Sequence, residues 1–380
     1  MDFTFSEEQE MIRTTVRKFA EKVLTPGVAE RDEKEYFDKK LFYEIGKLGL
    51  TGIPFEPEYG GAGLDYIAYA IAVEEISRID ASFGDTLSSH LSLGAWPILT
   101  YGNEMQKKKY LVDLVEGTKL GAFGLTEPNA GSDAIAMQCR AVLDGDEWVI
   151  DGRKIFITNA EAAEIYIVFA RTGPKELKSK AFSAFIVEKS TPGFTFGSLE
   201  RKMGLRGTQN CDLVFENCRI PNENLLGKIG DGFKIAMSTL DGGRIGVAAQ
   251  AVGIAQGAYE RAVAYAKQRI QFGKPISSLQ GIQFKLADMA TEIKASRMLI
   301  HHAAWKKSIG EEYAMDAAMA KLKASETAMW VTTQAVQVFG GYGYSRDYPV
   351  ERMMRDAKIT EIYEGTSEIQ RVVIANHVLR

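Results

Sequence analysis

Trp148-Val-Ile-Asp-Gly-Arg-Lys-Ile-Phe-Ile-Thr158 places two apolar, strand-forming runs on either side of Asp151-Gly152. A pair of that kind between two such runs is a turn signal, so the stretch predicts a β-hairpin. Toward the C-terminus, Ile165–Arg171, Ala181–Glu188 and Cys211–Phe215 are further strand-like runs, separated by Gly and Pro. Short strands with turns between them predict an antiparallel sandwich or barrel rather than alternating βαβ units.

On both sides of this region the texture is helical. Ser6-Glu-Glu-Gln9 has the capping-box form. Met11, Ile12, Val16, Phe19, Ala20 and Val23 follow at helical spacing, and Pro26 is expected to end the segment. Further helical patterns surround Leu41–Leu48 and Tyr66–Ile76, with Pro54, Pro57, Gly60, Gly61 and Gly63 between them. After residue 231, Ile245, Ala248, Ala249, Val252, Ala255, Tyr259, Ala262 and Ala266 trace one face of a long helix. Leu286, Met289 and Ile293, then Leu322, Ala328, Val331, Ala335 and Val338, predict two more, and a short helix runs from about Ser367 to Leu379. Alanine-rich helices with modest connections predict a four-helix-type bundle. The expected fold class is α+β multidomain. It comprises an N-terminal all-α domain (1–120), a middle antiparallel β-barrel or sandwich domain (121–230) and a C-terminal four-helix-bundle domain (231–380). A ligand is expected where these units meet.

The length agrees, because one core rarely grows beyond ~250–300 residues and this chain has 380. Lys and Arg total 46 against 50 Asp and Glu. That balance carries neither a nucleic-acid footprint nor a polybasic membrane surface, so neither partner is expected. Cys139, Cys211 and Cys218 are too scattered for a disulfide framework and read as free thiols in a reducing compartment. No His/Cys spacing resembles a zinc site, and no metal is expected. No apolar run approaches the ~20 residues of a membrane helix. MDFTFSEEQE resembles neither a signal nor a transit peptide. The expected location is cytoplasmic, of bacterial type, or the mitochondrial matrix for a processed form.

Six patches carry candidate chemistry. Leu125-Thr-Glu-Pro-Asn-Ala-Gly-Ser-Asp133 offers the Thr126 hydroxyl and, at Gly131 and Ser132, backbone N–H groups suited to a phosphate. Lys154-Ile-Phe-Ile-Thr-Asn159 sets an aromatic and a Thr on a strand, where they suit a flat ring system. Leu240-Asp-Gly-Gly-Arg-Ile245 reads as the opening of the long helix, with Arg244 a phosphate or carboxylate partner. Arg269-Ile-Gln-Phe-Gly-Lys-Pro-Ile276 with Gln280 suits a cofactor clasp at a helix end. Gln337-Val-Phe-Gly-Gly-Tyr-Gly-Tyr344 lets backbone approach a bulky partner closely. In Ile362-Tyr-Glu-Gly-Thr-Ser-Glu-Ile369, Glu364 beside Gly365 suits a base whose own N–H donates to a developing oxyanion. Each patch taken singly has an ordinary structural account as a turn, a half-buried strand, a cap or a helix end.

Together and in this order they resemble the acyl-CoA dehydrogenase family. The resemblance rests on T-E-P-N-A-G-S-D (126–133), I-F-I-T-N (155–159), R-K-M-G-L-R-G (201–207), R-I-Q-F-G (269–273), Q-V-F-G-G-Y-G (337–343) and I-Y-E-G-T-S-E-I-Q-R (362–371), and it covers essentially the whole chain. It implies a homotetramer, a dimer of dimers, with non-covalent FAD and an α–β–α subunit. Phe123, Leu125, Thr126, Gly131, Ser132, Phe156, Ile157 and Thr158 would then contact the cofactor. Phe156 stands where many relatives have Trp. Arg269, Phe272, Gln280, Gln337, Gly340 and Gly341 resemble cofactor residues contributed across a subunit interface, and Thr366 and Glu368 match positions at the cofactor's other end. Ser132, Asp241, Arg244 and Gly365 would line the path of an acyl-CoA substrate. Glu364 would be the base that removes the α-proton, while a hydride leaves the β-carbon for the flavin. Electrons would pass to an electron-transfer flavoprotein. In isovaleryl-CoA and long-chain members the base lies just before the Arg that matches Arg244; here that residue is Gly243. T-L-D-G-G-R-I-G (239–246) most resembles short-chain, butyryl-CoA-type enzymes.

The rival readings are an acyl-CoA oxidase or flavin monooxygenase of the same fold, a medium- or branched-chain dehydrogenase, and, from a different class, a non-enzymatic helical scaffold. Glu364 argues against the monooxygenase, and the chain length favours the dehydrogenase over oxidases.

Overall fold

The computed structural model describes residues 4–379. The N-terminal helices are α1 (Glu7–Phe19), α2 (Val28–Lys34), α3 (Lys39–Lys47), α4 (Tyr66–Ser77), α5 (Ala81–Ser89), α6 (Trp96–Tyr101), α7 (Glu104–Gln106) and α8 (Val112–Val115). The capping box of α1 forms, with Gln9 N–H donating to Ser6 Oγ at 3.2 Å and Ser6 N–H to Gln9 Oε1 at 3.1 Å. Val16 and Ala20 enter the core, but Met11 and Val23 are exposed, so the apolar stripe is narrower than the spacing predicts. Pro26 does not stop the chain. It lies in a tight turn, Thr25–Gly27, that leads straight into α2, because proline is tolerated in a first helical turn.

Eight strands form one sheet: β1 (Gly121–Gly124), β2 (Arg140–Asp144), β3 (Glu147–Thr158), β4 (Ile165–Arg171), β5 (Phe182–Glu188), β6 (Phe194–Phe196), β7 (Asn210–Pro221) and β8 (Leu225–Leu226). Their order is β6-β7-β3-β2-β4-β5-β8, with β1 beside β4. The expected hairpin at Asp151-Gly152 is a misreading. Residues 147–158 are one continuous strand, and the tight turn lies earlier, between Asp144 and Glu147. Asp151-Gly152 instead marks a register shift against β7. Gly152 has φ 145°, and a Cβ there would stand 2.7 Å from the Cys139 Cα. Turn-forming residues therefore serve a bulge here, a use that local sequence does not separate from a hairpin. The sheet is also not purely antiparallel, because β1 pairs parallel with β4.

The C-terminal helices are α9 (Gly232–Gln268), α10 (Gln280–Ser308), α11 (Ala314–Phe339), α12 (Val350–Lys358) and α13 (Ser367–Val378). Helix α9 packs against α11, α10 and α4. Every residue from Gly242 to Ala255 is buried, so α9 is a central rod rather than a one-faced helix. Its Gly and Ala residues allow that close approach. Leu240–Ile245 does not open α9, as the sequence suggested; it lies well inside it. The core is continuous across all three regions.

Candidate active site

Glu364 sits between the end of the short helical turn Ile359–Glu361 and α13. Its φ is 50° and that of Gly365 is 95°, so two successive residues adopt the left-handed conformation, which is costly for a glutamate. Three groups hold the bend. Lys321, buried on α11, donates to the Gly365 carbonyl at 2.7 Å. Gln370 Nε2 donates to the same carbonyl at 2.8 Å and to the Glu364 carbonyl at 3.3 Å. Thr366 caps α13 by accepting from Ile369 N–H at 3.3 Å.

The side chain of Glu364 is thereby turned inward onto α9. A Cβ at Gly243 would stand 2.0 Å from Glu364 Oε2, so only glycine leaves room for the carboxyl. Oε2 is closed off from solvent and has no hydrogen-bond partner among the described residues. Burial pushes the carboxyl up to about 8, and the Asp85 carboxyl pushes in the same direction. Lys321 and Arg244 pull it down. Burial also lowers Lys321 to about 8, against the pull of Glu364. An ordered carboxyl with an unmet acceptor and an affinity near neutrality is equipped to take a proton from a bound molecule.

The remaining sequence-predicted residues fall into two groups. The first borders the β-domain. Phe123 is half-buried on β1, 4.9 Å from the Phe169 ring. Leu125 and Thr126 follow it, and Gly131 and Ser132 lie exposed farther along the loop. The Lys154–Glu127 ion pair, at 2.7 Å, anchors this loop to β3. On β3, Phe156 has φ 58° and its ring is 62% exposed, next to the half-buried Thr158. Ile157 turns its side chain into the core. Asp241 and Arg244 form a short ion pair on α9, with Arg244 Nε unpartnered among the described residues. Thr366 and Gly365 follow Glu364 directly, and Glu368 is exposed on α13.

The second group lies elsewhere on the chain. Arg269 caps α9 and stands 5.4 Å from the Tyr342 ring. With Gly340 and Gly341 it lines a cavity of about 470 Å³. Gln280 and Gln337 are exposed nearby in sequence, and Phe272 is 89% exposed at φ 52°. That cavity contains none of the residues around Glu364.

Sequence reasoning missed Lys321, Gln370 and Asp85. Lys321 left a trace, a lone cation inside the alanine face Ala317, Ala320, Ala324 and Ala328. Asp85 left a fainter one, an acid inside a helix that is buried throughout.

Three family models cover the chain, the N-terminal (6–118), middle (122–218) and C-terminal (230–379) domains of acyl-CoA dehydrogenase. The chain belongs to the acyl-CoA dehydrogenase family. It is 53% identical to the short-chain-specific acyl-CoA dehydrogenase of Clostridium acetobutylicum, across all of both chains. The butyryl-CoA dehydrogenase structure from Megasphaera elsdenii superposes with a TM-score of 0.99 at 54% identity, again over both full lengths. A structure concerned with the electron transferring flavoprotein of Acidaminococcus fermentans and flavin-based electron bifurcation contains a chain matching with a TM-score of 0.99. That chain is 56% identical, with both chains fully covered. As an acyl-CoA dehydrogenase family member the protein is a flavin-dependent oxidoreductase. No helix among the described residues is long and apolar enough to cross a membrane.

Proposed function

We propose that this acyl-CoA dehydrogenase family member converts a short-chain acyl-CoA, butyryl-CoA in particular, to the trans-2-enoyl-CoA. The observation that carries the reading is the sealed, unpartnered Oε2 of Glu364 seated over Gly243. The cofactor is FAD, which would supply an acceptor for the β-hydrogen as hydride and a route for the electrons to an electron-transfer flavoprotein. The residues present fit that group. Phe156 offers a bare aromatic face on an otherwise well-covered strand, Thr158 a hydroxyl beside it, and Gly340 and Gly341 backbone with open space where a Cβ would stand.

Glu364 removes the α-proton, and its backbone N–H donates to the thioester carbonyl. Losing one such donor typically costs ~10²–10³ in rate. Phe123, Leu125, Thr126, Gly131, Ser132, Phe156, Ile157 and Thr158 hold the cofactor of the same subunit. Arg269, Phe272, Gln280, Gln337, Gly340 and Gly341 serve a neighbouring subunit, and Thr366 and Glu368 meet the cofactor's other end. For Arg269, Gly340 and Gly341 this division is supported by the cavity they line, which contains none of the residues around Glu364. Ser132, Asp241, Arg244 and Gly365 line the CoA path. The assembly is a homotetramer, with domain limits near residues 120 and 230. Three free, buried thiols support a cytoplasmic setting.

A rate survey across acyl-CoA lengths and branched analogues, with an artificial electron acceptor, tests the substrate. Butyryl-CoA should be fastest, and a maximum on long or branched chains would overturn that choice. Stoichiometric peroxide without response to an electron-transfer flavoprotein would replace the dehydrogenase with an oxidase.

A further inference from the structure

Arg201-Lys-Met-Gly-Leu-Arg-Gly207 carries part of the family resemblance, yet none of the site residues belongs to it. It forms the loop that leads into β7, and that loop is seated on α12. Leu205 N–H donates to Asp356 Oδ1 at 2.7 Å, and Arg355 donates to the Met203 carbonyl at 3.0 Å. A Cβ at Gly204 would stand 2.4 Å from the Arg355 carbonyl oxygen, so the two backbones touch. Lys202 Nζ donates to the Thr208 carbonyl at 2.8 Å. Thr208 N–H donates to the Leu205 carbonyl at 3.1 Å. Its hydroxyl oxygen lies 2.8 Å from that same carbonyl and 2.9 Å from Asn210 Oδ1.

Asn210 opens β7 and is the direct cross-strand partner of Thr158, the last residue of β3. Its Nδ2 donates to Thr158 Oγ1 at 3.1 Å. The Thr208 hydroxyl has one proton to give. The Leu205 carbonyl is already met by the Thr208 N–H, which leaves that proton for Asn210 Oδ1. An amide held by its oxygen presents only its NH2 to Thr158, and an NH2 cannot accept. The Thr158 proton therefore points away from Asn210.

We propose that Asn210 is a positioning residue for the cofactor. Together with Thr208 it fixes Thr158 as a hydrogen-bond donor to the bound flavin. The loop at 201–207, clamped on α12, holds Thr208 and through it the amide. The proposal rests on Thr158 being a cofactor residue, as read above.

The test is a double-mutant cycle on FAD affinity, measured by titrating flavin-stripped protein with FAD. Asn210→Asp keeps the shape but presents only oxygens, so it takes the Thr158 proton for itself. It should weaken FAD binding about tenfold, the scale of one lost hydrogen bond. In a Thr158→Val background, where the hydroxyl is already gone, the added charge remains but the loss should shrink to about threefold or less. Thr208→Val adds no charge and frees the amide to turn over. It should show the same dependence on background, by less, whether or not Asn210→Asp folds. Equal losses in both backgrounds would make these two packing residues and overturn the proposal, as would unchanged affinity in both. Thr158→Val binding FAD as tightly as wild type would remove Thr158 from the cofactor site and the proposal with it. A weakened Thr158→Val that is uncoupled from Asn210 and Thr208 defeats the proposal alone.

Discussion

Glu364 and Gly243 form one unit, because the carboxyl occupies the space that any side chain at 243 would fill. Replacing the base by its amide preserves shape and removes the proton acceptor. Glu364→Gln should therefore retain ligand binding and lose about 10²–10⁴ in kcat, the usual contribution of a general base. Wild-type turnover in that variant would place the base elsewhere. Gly243→Ala should act through displacement, since its methyl would overlap Oε2. A displacement of about 1 Å can cost ~10², so kcat should fall at least tenfold while circular dichroism stays unchanged. The raised affinity of Glu364 also has a consequence for stability. Between the ordinary glutamate value of 4.5 and the folded value of about 8, the native state holds a proton that the unfolded state has released. Stability from this group is thus lost as pH rises through that window. Glu364→Gln should raise the melting temperature more at pH 9 than at pH 5, and an equal shift at both would contradict the sign.

Among the elements, β3 and α9 show how local signals can be right in kind and wrong in use. Asp151-Gly152 correctly flagged a backbone irregularity, but only the pairing with β7 decides that it is a register shift inside a strand. Gly152→Ala should destabilise by about 1–3 kcal/mol, the usual cost of a non-glycine residue in such a backbone conformation; an unchanged urea midpoint would contradict this. Helix α9 was legible from its repeating Ile, Val and Ala. Its start was not, because Asp241-Gly242-Gly243 has the composition of a cap yet lies inside the helix, where α9 becomes buried on all sides. Lys321 illustrates the same limit. Its neighbours on the same face of α11, Ala317, Ala318 and Ala324, are alanines, and its partner, the Gly365 carbonyl, lies outside that helix. Lys321→Met should release the bend at Glu364–Gly365 and lower kcat more than it lowers the melting temperature. The reverse order would make Lys321 a packing residue only.

At the scale of the whole molecule, the residues proposed to hold the cofactor fall into two separate groups, and the cavity lined by Arg269, Gly340 and Gly341 contains none of the residues around Glu364. Phe272 stands almost fully exposed, at a strained φ, a conformation that isolated subunits have no reason to keep. Arg269→Ala should weaken FAD retention, read by flavin absorbance after gel filtration, while the circular dichroism stays unchanged. Retained flavin would remove Arg269 from the site. The α–β–α order, the strand-rich middle and the order of the six patches follow from periodicity and glycine placement, which are local properties written residue by residue. Which carboxyl is sealed, which glycine makes room for it and which lysine holds its loop depend on segments far apart in sequence meeting across α9 and α11. Burial and charge coupling act through space rather than along the chain, so those assignments belong to the tertiary structure alone.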